Sequence, residues 1–462
     1  MKAGFENKSY FYREFKTSTC LILFINKFSK YRCIEQILNE FIEINFRRHP
    51  YIHIPMKQFI KLFTIFFLGM TLIQGHTLNA QVNDSSGNYV LLISLDGFRW
   101  DYPNIYNTPN INAFGRDGVR AQSLFSCYPT KTFPNHYSIA TGLHPDHHGI
   151  VNNSFYDEKL GYYRLGDRKS VENGKFYEGE PIWVTAEKQG IKTASFYWVG
   201  SEAPIKGIQP TYWKRYAQNV TFTQRVDTVI KWFSLPTDQR PRLVTFYFHE
   251  PDGVGHAYGP VSPQTKKVVE QLDSLMGYFL TRLSELPVAT KLNIIILSDH
   301  GMAEISSDKV VNLSDYIDKG MFKYISGGNP VYTLQPLPDQ YAEVLSKLKV
   351  IPHLKVWERN EIPKRYIYGS NPRVNDILVE AELGWSVTWT NNEDSYTGGT
   401  HGYNNFIPDM QGIFYARGPA FKSGYVSPSF YNVNVYSIIA HILNLKPAQT
   451  DGNLDEVRGM LK

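Results

Sequence analysis

Three nearly continuous apolar runs constrain this chain more than any other feature: YVLLISLD (89–96), LVTFYFHEPD (243–252) and NIIILSDHG (293–301). A strand with water on one face alternates polar and apolar residues, so unbroken runs imply strands covered on both faces. SPQTKKVVEQLDSLMGYFLTRLSEL (262–286) has helical periodicity and leads into the third run, and DTVIKWFSL (227–235) is a helical approach to the second. Strand–helix–strand alternation predicts an α/β fold with a mostly parallel central sheet flanked by helices. With 42% apolar and 15% aromatic residues among 462, the chain can bury a large core. Disordered and collagen-like classes are excluded on that ground. After residue 301 the pattern changes. NPVYTLQPLP (329–338), AEVLSKLK (342–349) and LKVWERNEIP (354–363) read as short mixed elements, a small inserted subdomain expected at about 329–395.

The front of the chain reads differently. From Met56, Lys57 and Lys61 precede the apolar stretch FTIFFLGMTLI, and LNA stands just before Gln81. That is the pattern of a secretory signal peptide over 56–80, too short in its apolar part to span a bilayer comfortably. Residues 1–55 are then expected to be an upstream extension or a misassigned start, and 81–462 a single catalytic domain without a stable membrane anchor. Cys20 and Cys33 fall in the removed part, leaving Cys127 alone. Export without a disulfide framework fits a periplasm. The formal charge of +5 also comes from the front: removing the 11 Lys/Arg and 5 Asp/Glu of residues 1–80 from totals of 48 and 43 leaves 37 and 38. A near-neutral body offers no nucleic-acid-binding groove.

Each apolar run ends in acidic or histidine residues. The first ends at Asp96, the second at Asp252 with His256 four residues on, and the third at Asp299-His300-Gly301. In open parallel sheets, ligands bind beyond the carboxyl ends of the strands. The later segment GGTHGY adds His401. Taken singly these residues have ordinary alternatives: Asp96-Gly97 and Asp252-Gly253 as turns, His256 as a structural histidine. Gathered around one pocket, three Asp and three His would be costly without cations. Mixed Asp/His ligation suits zinc better than magnesium or calcium. Six ligands suit two metals of about three ligands each, roughly 4 Å apart.

A further stretch, SLFSCYPTKTFPNHYSIATG (123–142), holds hydroxyls at Ser123, Ser126, Thr130 and Thr132, ahead of a helix expected to start near Phe133 with Pro134 at its entrance. Alone, Thr132 is a helix-entrance hydroxyl. Beside six metal ligands it becomes a candidate nucleophile, because coordination would lower its pKa and a helix N-terminus favours both an alkoxide and a phosphate. His136 is expected to support the site without binding metal, and His147 and His148 to be supporting or structural. His144, His249, His353 and His441 receive no role.

At this point the chain resembles a known family. SLDGFRWDY, YPTKTFPNHYSIATGLHPDHHGIVNN, EPDGVGHAYGPVSP, LSDHGM and THGYNN are similar, in this order, to blocks of the nucleotide pyrophosphatase/phosphodiesterase family of the alkaline phosphatase superfamily, as a bacterial-type catalytic domain. The resemblance implies an alkaline-phosphatase-like fold and two Zn2+. It implies hydrolysis of nucleotide phosphodiester and pyrophosphate bonds through a phospho-threonine intermediate, releasing a nucleoside 5′-monophosphate. Thr132 would be the nucleophile. Asp252, His256 and His401 would hold one zinc; Asp96, Asp299 and His300 would hold the other, with the Thr132 oxygen directed to it. Asn153 would donate a hydrogen bond to a phosphoryl oxygen. Phe133 and Tyr216 would form a slot for the nucleobase, Tyr216 by way of FYWVGSEAPIKGIQPTYWKRY (196–216), with Trp198 in support. The expected partner is a nucleotide or another small phosphodiester.

Rivals stay open at this level: a phosphodiesterase on choline or lipid phosphodiesters, or a phosphomonoesterase with the same metal core. A monoesterase would need a strong cation against a dianion, and no motif supplies an arginine. A sulfatase is disfavoured because Lys131 stands where its motif expects Arg. A binding protein that kept the fold is disfavoured by the intact nucleophile and ligand set. Base preference and oligomeric state are not legible.

Overall fold

The computed structural model describes residues 87–390, 392 and 395–462. The expected signal segment, the extension before it, Cys20 and Cys33 lie outside the described residues. No helix among the described residues is long and apolar enough to cross a membrane.

Eight strands form the central sheet: β1 (Tyr89–Leu95), β2 (Val119–Ala121), β3 (Thr193–Phe196), β4 (Tyr212–Lys214), β5 (Leu243–Phe248), β6 (Leu292–Leu297), β7 (Phe414–Arg417) and β8 (Tyr425–Ser427). Their spatial order is β8-β2-β7-β6-β1-β5-β3-β4. β1 lies at the centre, parallel to β5 on one side and β6 on the other. β3 is parallel to β4 and β5, whereas β7 runs antiparallel to both β6 and β2. Every residue of β1 and β6 is buried. That double coverage is why these strands read as unbroken apolar runs.

Successive side chains of a strand point to opposite faces, and here each face has its own core. Val90, Leu92, Ile295 and Leu297 pack into one cluster; Leu91, Ile93, Leu95, Ile294 and Ile296 pack into the other. Pro109–Asp117 (α1), Phe222–Phe233 (α2) and Pro263–Ser284 (α3) contribute to the second cluster, and Thr132–Thr141 (α4), Ile182–Lys188 (α5) and Asn434–Ile442 (α6) to the first. The result is a layered α/β/α arrangement. Helix starts follow local chemistry: Ser262 caps α3 by accepting from Thr265 N at 3.1 Å, with Pro263 in the first turn, and Thr221 forms a capping box with Gln224 at α2. These caps satisfy amides that have no partner inside the helix.

Two boundaries differ from the sequence expectation. β5 ends at Phe248, and Asp252 is the first residue of a short helix, Asp252–Tyr258 (α7), rather than a strand end. Pro251 has no amide to donate to a ladder, so the strand cannot continue to Asp252. The helix α4 begins at Thr132, before Phe133 and Pro134. The first amides of a helix have no intrahelical acceptor, so a proline two positions in costs it no hydrogen bond.

The inserted part contains an antiparallel four-stranded sheet of Phe322–Gly328, Val331–Pro336, Ile377–Ala381 and Leu354–Glu358, in that spatial order. Leu334, Val344, Leu348, Ile377 and Val379 fill a core of its own against the helix Tyr341–Leu348. Its first strand precedes the expected boundary at 329, because Asn329-Pro330 is the turn of a hairpin and not the start of an element. The insert is tied to the main body by Asp146, whose carboxylate accepts from Gly369 N, Ser370 N and Asn371 N at 2.8–2.9 Å and from Ser370 Oγ at 2.5 Å.

Candidate active site

β6, β1 and β5 are adjacent and parallel, so their carboxyl ends lie side by side at one edge of the sheet. Asp96 follows β1 directly, Asp299 follows β6 after Ser298, and Asp252 heads α7 just beyond β5. Asp252 N donates to Asp96 O at 3.0 Å, and Gly97 N donates to Asp299 Oδ1 at 3.2 Å. Gly97 has φ +67°, and a Cβ there would lie 3.0 Å from Asp252 Cα. Only glycine accepts both that conformation and that approach.

The side chains converge. His300 Nε2 lies 3.3 Å from Asp96 Oδ1 and 3.0 Å from Asp299 Oδ2. His256 Nε2 and His401 Nε2 lie 3.4 and 3.5 Å from Asp252 Oδ1. The His300 and His401 rings stack, with centroids 3.5 Å apart. Two sets have ligand atoms within 4.8 Å of one another: Asp96, Asp299 and His300; and Asp252, His300 and His401. His300 therefore stands between two potential metal positions, and His256 approaches from α7 beside Asp252, four residues along the same helix face. Thr132 Oγ1 lies 3.1 Å from His300 Nε2, at the head of α4.

The chemistry of these groups fits divalent cations. Asp96 Oδ1, Asp252 Oδ1 and Asp299 Oδ2 are buried with no hydrogen bond. Orphaned carboxylate oxygens are rare and expensive unless something charged meets them. Each of the three histidines commits Nδ1 to a backbone carbonyl: His256 to Gly399 O at 2.8 Å, His300 to Gly301 O at 2.8 Å and His401 to Thr130 O at 2.7 Å. Donation from Nδ1 leaves Nε2 as a free lone pair facing the carboxylates, the usual tautomer of a metal-binding histidine. His136 is different. Its Nε2 is 2.8 Å from Ser94 Oγ, and its Nδ1 is 3.0 Å from Thr132 O and 3.2 Å from Asp299 Oδ2. Both of its nitrogens are engaged by these neighbours.

Electrostatics point the same way. Burial, and then the charges of Asp299 and Asp252, raise the Asp96 carboxyl well above the usual range. Burial pulls the His401 imidazole well below its ordinary value, and His300, Lys131 and His256 add to it. Asp299 goes the other way: burial opposes ionisation, but His300 and His136 hold its carboxyl well below the usual range. Such mutual perturbation marks ionisable groups crowded into one buried site.

Residues 90–404 match the protein family described as Type I phosphodiesterase / nucleotide pyrophosphatase. The chain belongs to this family. Its relatives include ectonucleotide pyrophosphatase/phosphodiesterase family member 1 of Homo sapiens, 38% identical over 386 residues, covering 80% of this chain and 42% of that protein. The venom phosphodiesterase CdcPDE of Crotalus durissus collilineatus is 36% identical over 383 residues, covering 81% and 46%. The chain thus spans less than half the length of these curated relatives. An inactive variant of murine ectonucleotide pyrophosphatase/phosphodiesterase 5, solved in complex with AMP, aligns with a TM-score of 0.78 at 33% identity, over 81% of this chain and all of that one. The human member 5 aligns with the same score and identity. The fold is therefore alkaline-phosphatase-like, as expected.

In this phosphodiesterase-family chain, Asn153 Oδ1 accepts from Phe133 N at 2.9 Å, which sets the orientation of its amide at the head of α4. Phe133 is partly buried, edge-on to Tyr163 at 6.2 Å. Tyr216 is exposed and its ring lies 5.0 Å from Tyr197. Trp198 Nε1 donates to His136 O at 2.9 Å, so Trp198 braces α4. His148 is buried with Nε2 2.9 Å from Ser138 Oγ, and exposed His147 lies 2.7 Å from Asp451 Oδ2; both are structural. Ser126 and Thr130 serve the loops, donating to Asp299 O at 2.6 Å and Tyr403 O at 3.1 Å.

Two neighbours of the cluster carry no sequence signal. Tyr247 donates to Asp96 Oδ2 at 2.5 Å, but within a buried apolar strand it reads as core. Lys131 is buried next to Thr132, with Nζ donating to Asn329 O at 2.6 Å; burial pushes it down to about 7 against the charge of Asp252. A lysine in a loop reads as exposed until the insert is folded over it. Among the described residues, no Arg or Lys makes an ion pair with Asp96, Asp252 or Asp299.

Proposed function

We propose that this chain is a zinc-dependent hydrolase of nucleotide phosphodiester and pyrophosphate bonds. The observation that carries the reading is Thr132 Oγ1 at 3.1 Å from His300 Nε2, among three carboxylates with orphaned oxygens. Asp252, His256 and His401 would hold one zinc and Asp96, Asp299 and His300 the other; when bound, the ions lower the pKa of the Thr132 hydroxyl and stabilise charge on phosphorus-bound oxygens.

The chain's own residues do the rest. The head of α4 presents Thr132 where the helix dipole favours an oxyanion and a phosphate. The Thr132 oxygen attacks phosphorus, and the bond to the leaving alcohol or phosphate breaks. Water then cleaves the phospho-threonine ester and frees a nucleoside 5′-monophosphate. The amide of Asn153 donates to a non-bridging oxygen. Phe133 and Tyr216 take the nucleobase, a reading supported by AMP in the related solved structure. Phe133, next to Thr132 in the chain, favours a diester that carries an aromatic group over a bare monoester dianion. We also propose that residues 56–80 direct export to the periplasm and that 81–462 form one catalytic domain with its insert.

The test is paired turnover of the p-nitrophenyl ester of thymidine 5′-monophosphate and of p-nitrophenyl phosphate. The diester is expected to be strongly preferred, with activity abolished by chelation and in Thr132→Ala. Faster monoester turnover overturns the substrate class, and full activity in Thr132→Ala overturns the mechanism.

A further inference from the structure

Arg225 on α2 is fully buried, yet no carboxylate lies within ion-pair distance of it among the described residues. Arg99 and Arg373, the other deeply buried guanidinium groups among the described residues, each face a carboxylate, Asp101 and Asp157. A buried cation without a counterion is costly, and an apolar side chain of similar volume would be cheaper. Arg225 is held instead by neutral acceptors and π faces. Nε donates to Val220 O at 3.1 Å, Nη1 to Tyr247 O at 3.3 Å and Nη2 to His249 Nδ1 at 3.3 Å. Its Cζ lies 4.9 Å from the Tyr197 ring centre and 5.0 Å from that of Phe222. Burial, with Arg225 adding to it, pushes the His249 imidazole down to about 4, so His249 stays neutral and can accept.

The contacts run on in both directions. The Tyr197 ring is 5.0 Å from the Tyr216 ring, and the Tyr247 hydroxyl holds Asp96 Oδ2. Through one guanidinium, the exposed aromatic Tyr216 is therefore connected to the strand whose tyrosine grips Asp96. We infer that Arg225 is a positioning residue for nucleoside-bearing substrates: it stacks under Tyr197, fixes the height of the Tyr216 wall, and holds that wall in register with the metal-ligating edge of the sheet. The inference rests on the reading of Tyr216 as a nucleobase wall. Its selective effect would fall on substrates that carry a base, because a base-less diester does not use the wall.

The experiment compares kcat and KM for the p-nitrophenyl ester of thymidine 5′-monophosphate with those for methyl p-nitrophenyl phosphate, in wild type, Arg225→Met, Arg225→Lys and Tyr216→Ala. In Arg225→Met the ratio of kcat/KM for the two substrates is expected to fall about tenfold, through KM of the nucleoside ester, on the scale of a buried cation–π contact. Arg225→Lys keeps the charge but not the fork, and should recover part of the ratio. If Arg225→Met does not fold, Tyr197→Leu, which removes the ring between Arg225 and Tyr216, carries the same expectation. Equal losses on both substrates, or no loss, overturn the inference when Tyr216→Ala is itself selective. A Tyr216→Ala enzyme that does not discriminate overturns the wall reading on which it rests.

Discussion

His136 Nδ1 lies 3.2 Å from Asp299 Oδ2, with both side chains fully buried. The same nitrogen is 3.0 Å from the Thr132 carbonyl, and Nε2 is 2.8 Å from Ser94 Oγ on β1. One imidazole thus joins the helix headed by Thr132 to a metal-ligand candidate and to the central strand. His136→Gln is expected to lower kcat or zinc affinity by about 10–100-fold, the usual effect of removing a group that orients a ligand. Steady-state kinetics beside a zinc titration would read it; wild-type values for both would refute the role.

The three orphaned carboxylate oxygens make a second expectation. Stripping metal should leave their repulsion uncompensated, so the chelated protein should melt at a lower temperature than the loaded one. Zinc should restore both melting temperature and activity, and magnesium neither. Thermal melts with and without chelator decide it, and an unchanged melting temperature would count against metal at this edge.

The clasp at Asp146 concerns stability. Its carboxylate accepts three backbone amides and one hydroxyl from Gly369–Asn371. Asp146→Ala leaves the buried amides of Gly369 and Asn371 unsatisfied and should cost about 3 kcal/mol. Urea unfolding would measure this, and a loss under about 1 kcal/mol would show that the insert does not depend on the clasp.

Acid sensitivity should come partly from His148. Burial pushes its imidazole from 6.5 down to about 3. Nδ1 accepts from Ile150 N at 3.2 Å, and Nε2 lies against Ser138 Oγ and Pro134 O, so the folded protein keeps it neutral. The unfolded chain binds the proton first. Stability from this group is therefore complete above pH 6.5 and drains as pH falls toward 3, at about 1.4 kcal/mol per pH unit. His148→Gln should have a flatter stability profile between pH 7 and 5. Parallel profiles for variant and wild type would remove His148 as the cause.

Strand identity was readable in the chain because burial on both faces writes itself into composition: β1, β5 and β6 could only be unbroken apolar runs. The Asp and His residues at their ends were equally readable as a set, since parallel neighbours must deliver their carboxyl ends to one edge. Local chemistry was less legible where a single proline had two meanings. Pro251 stopped a strand short of Asp252, and Pro134 stood inside a helix rather than at its start. What the sequence could not show are the partners of Tyr247, Lys131 and Arg225. Their neighbours are the Asp96 carboxylate, the carbonyl of Asn329, and the rings of Tyr197 and Phe222. Periodicity reports which side of an element is buried, but not what buries it. That was decided only when the sheet order and the docking of the insert brought distant segments into contact.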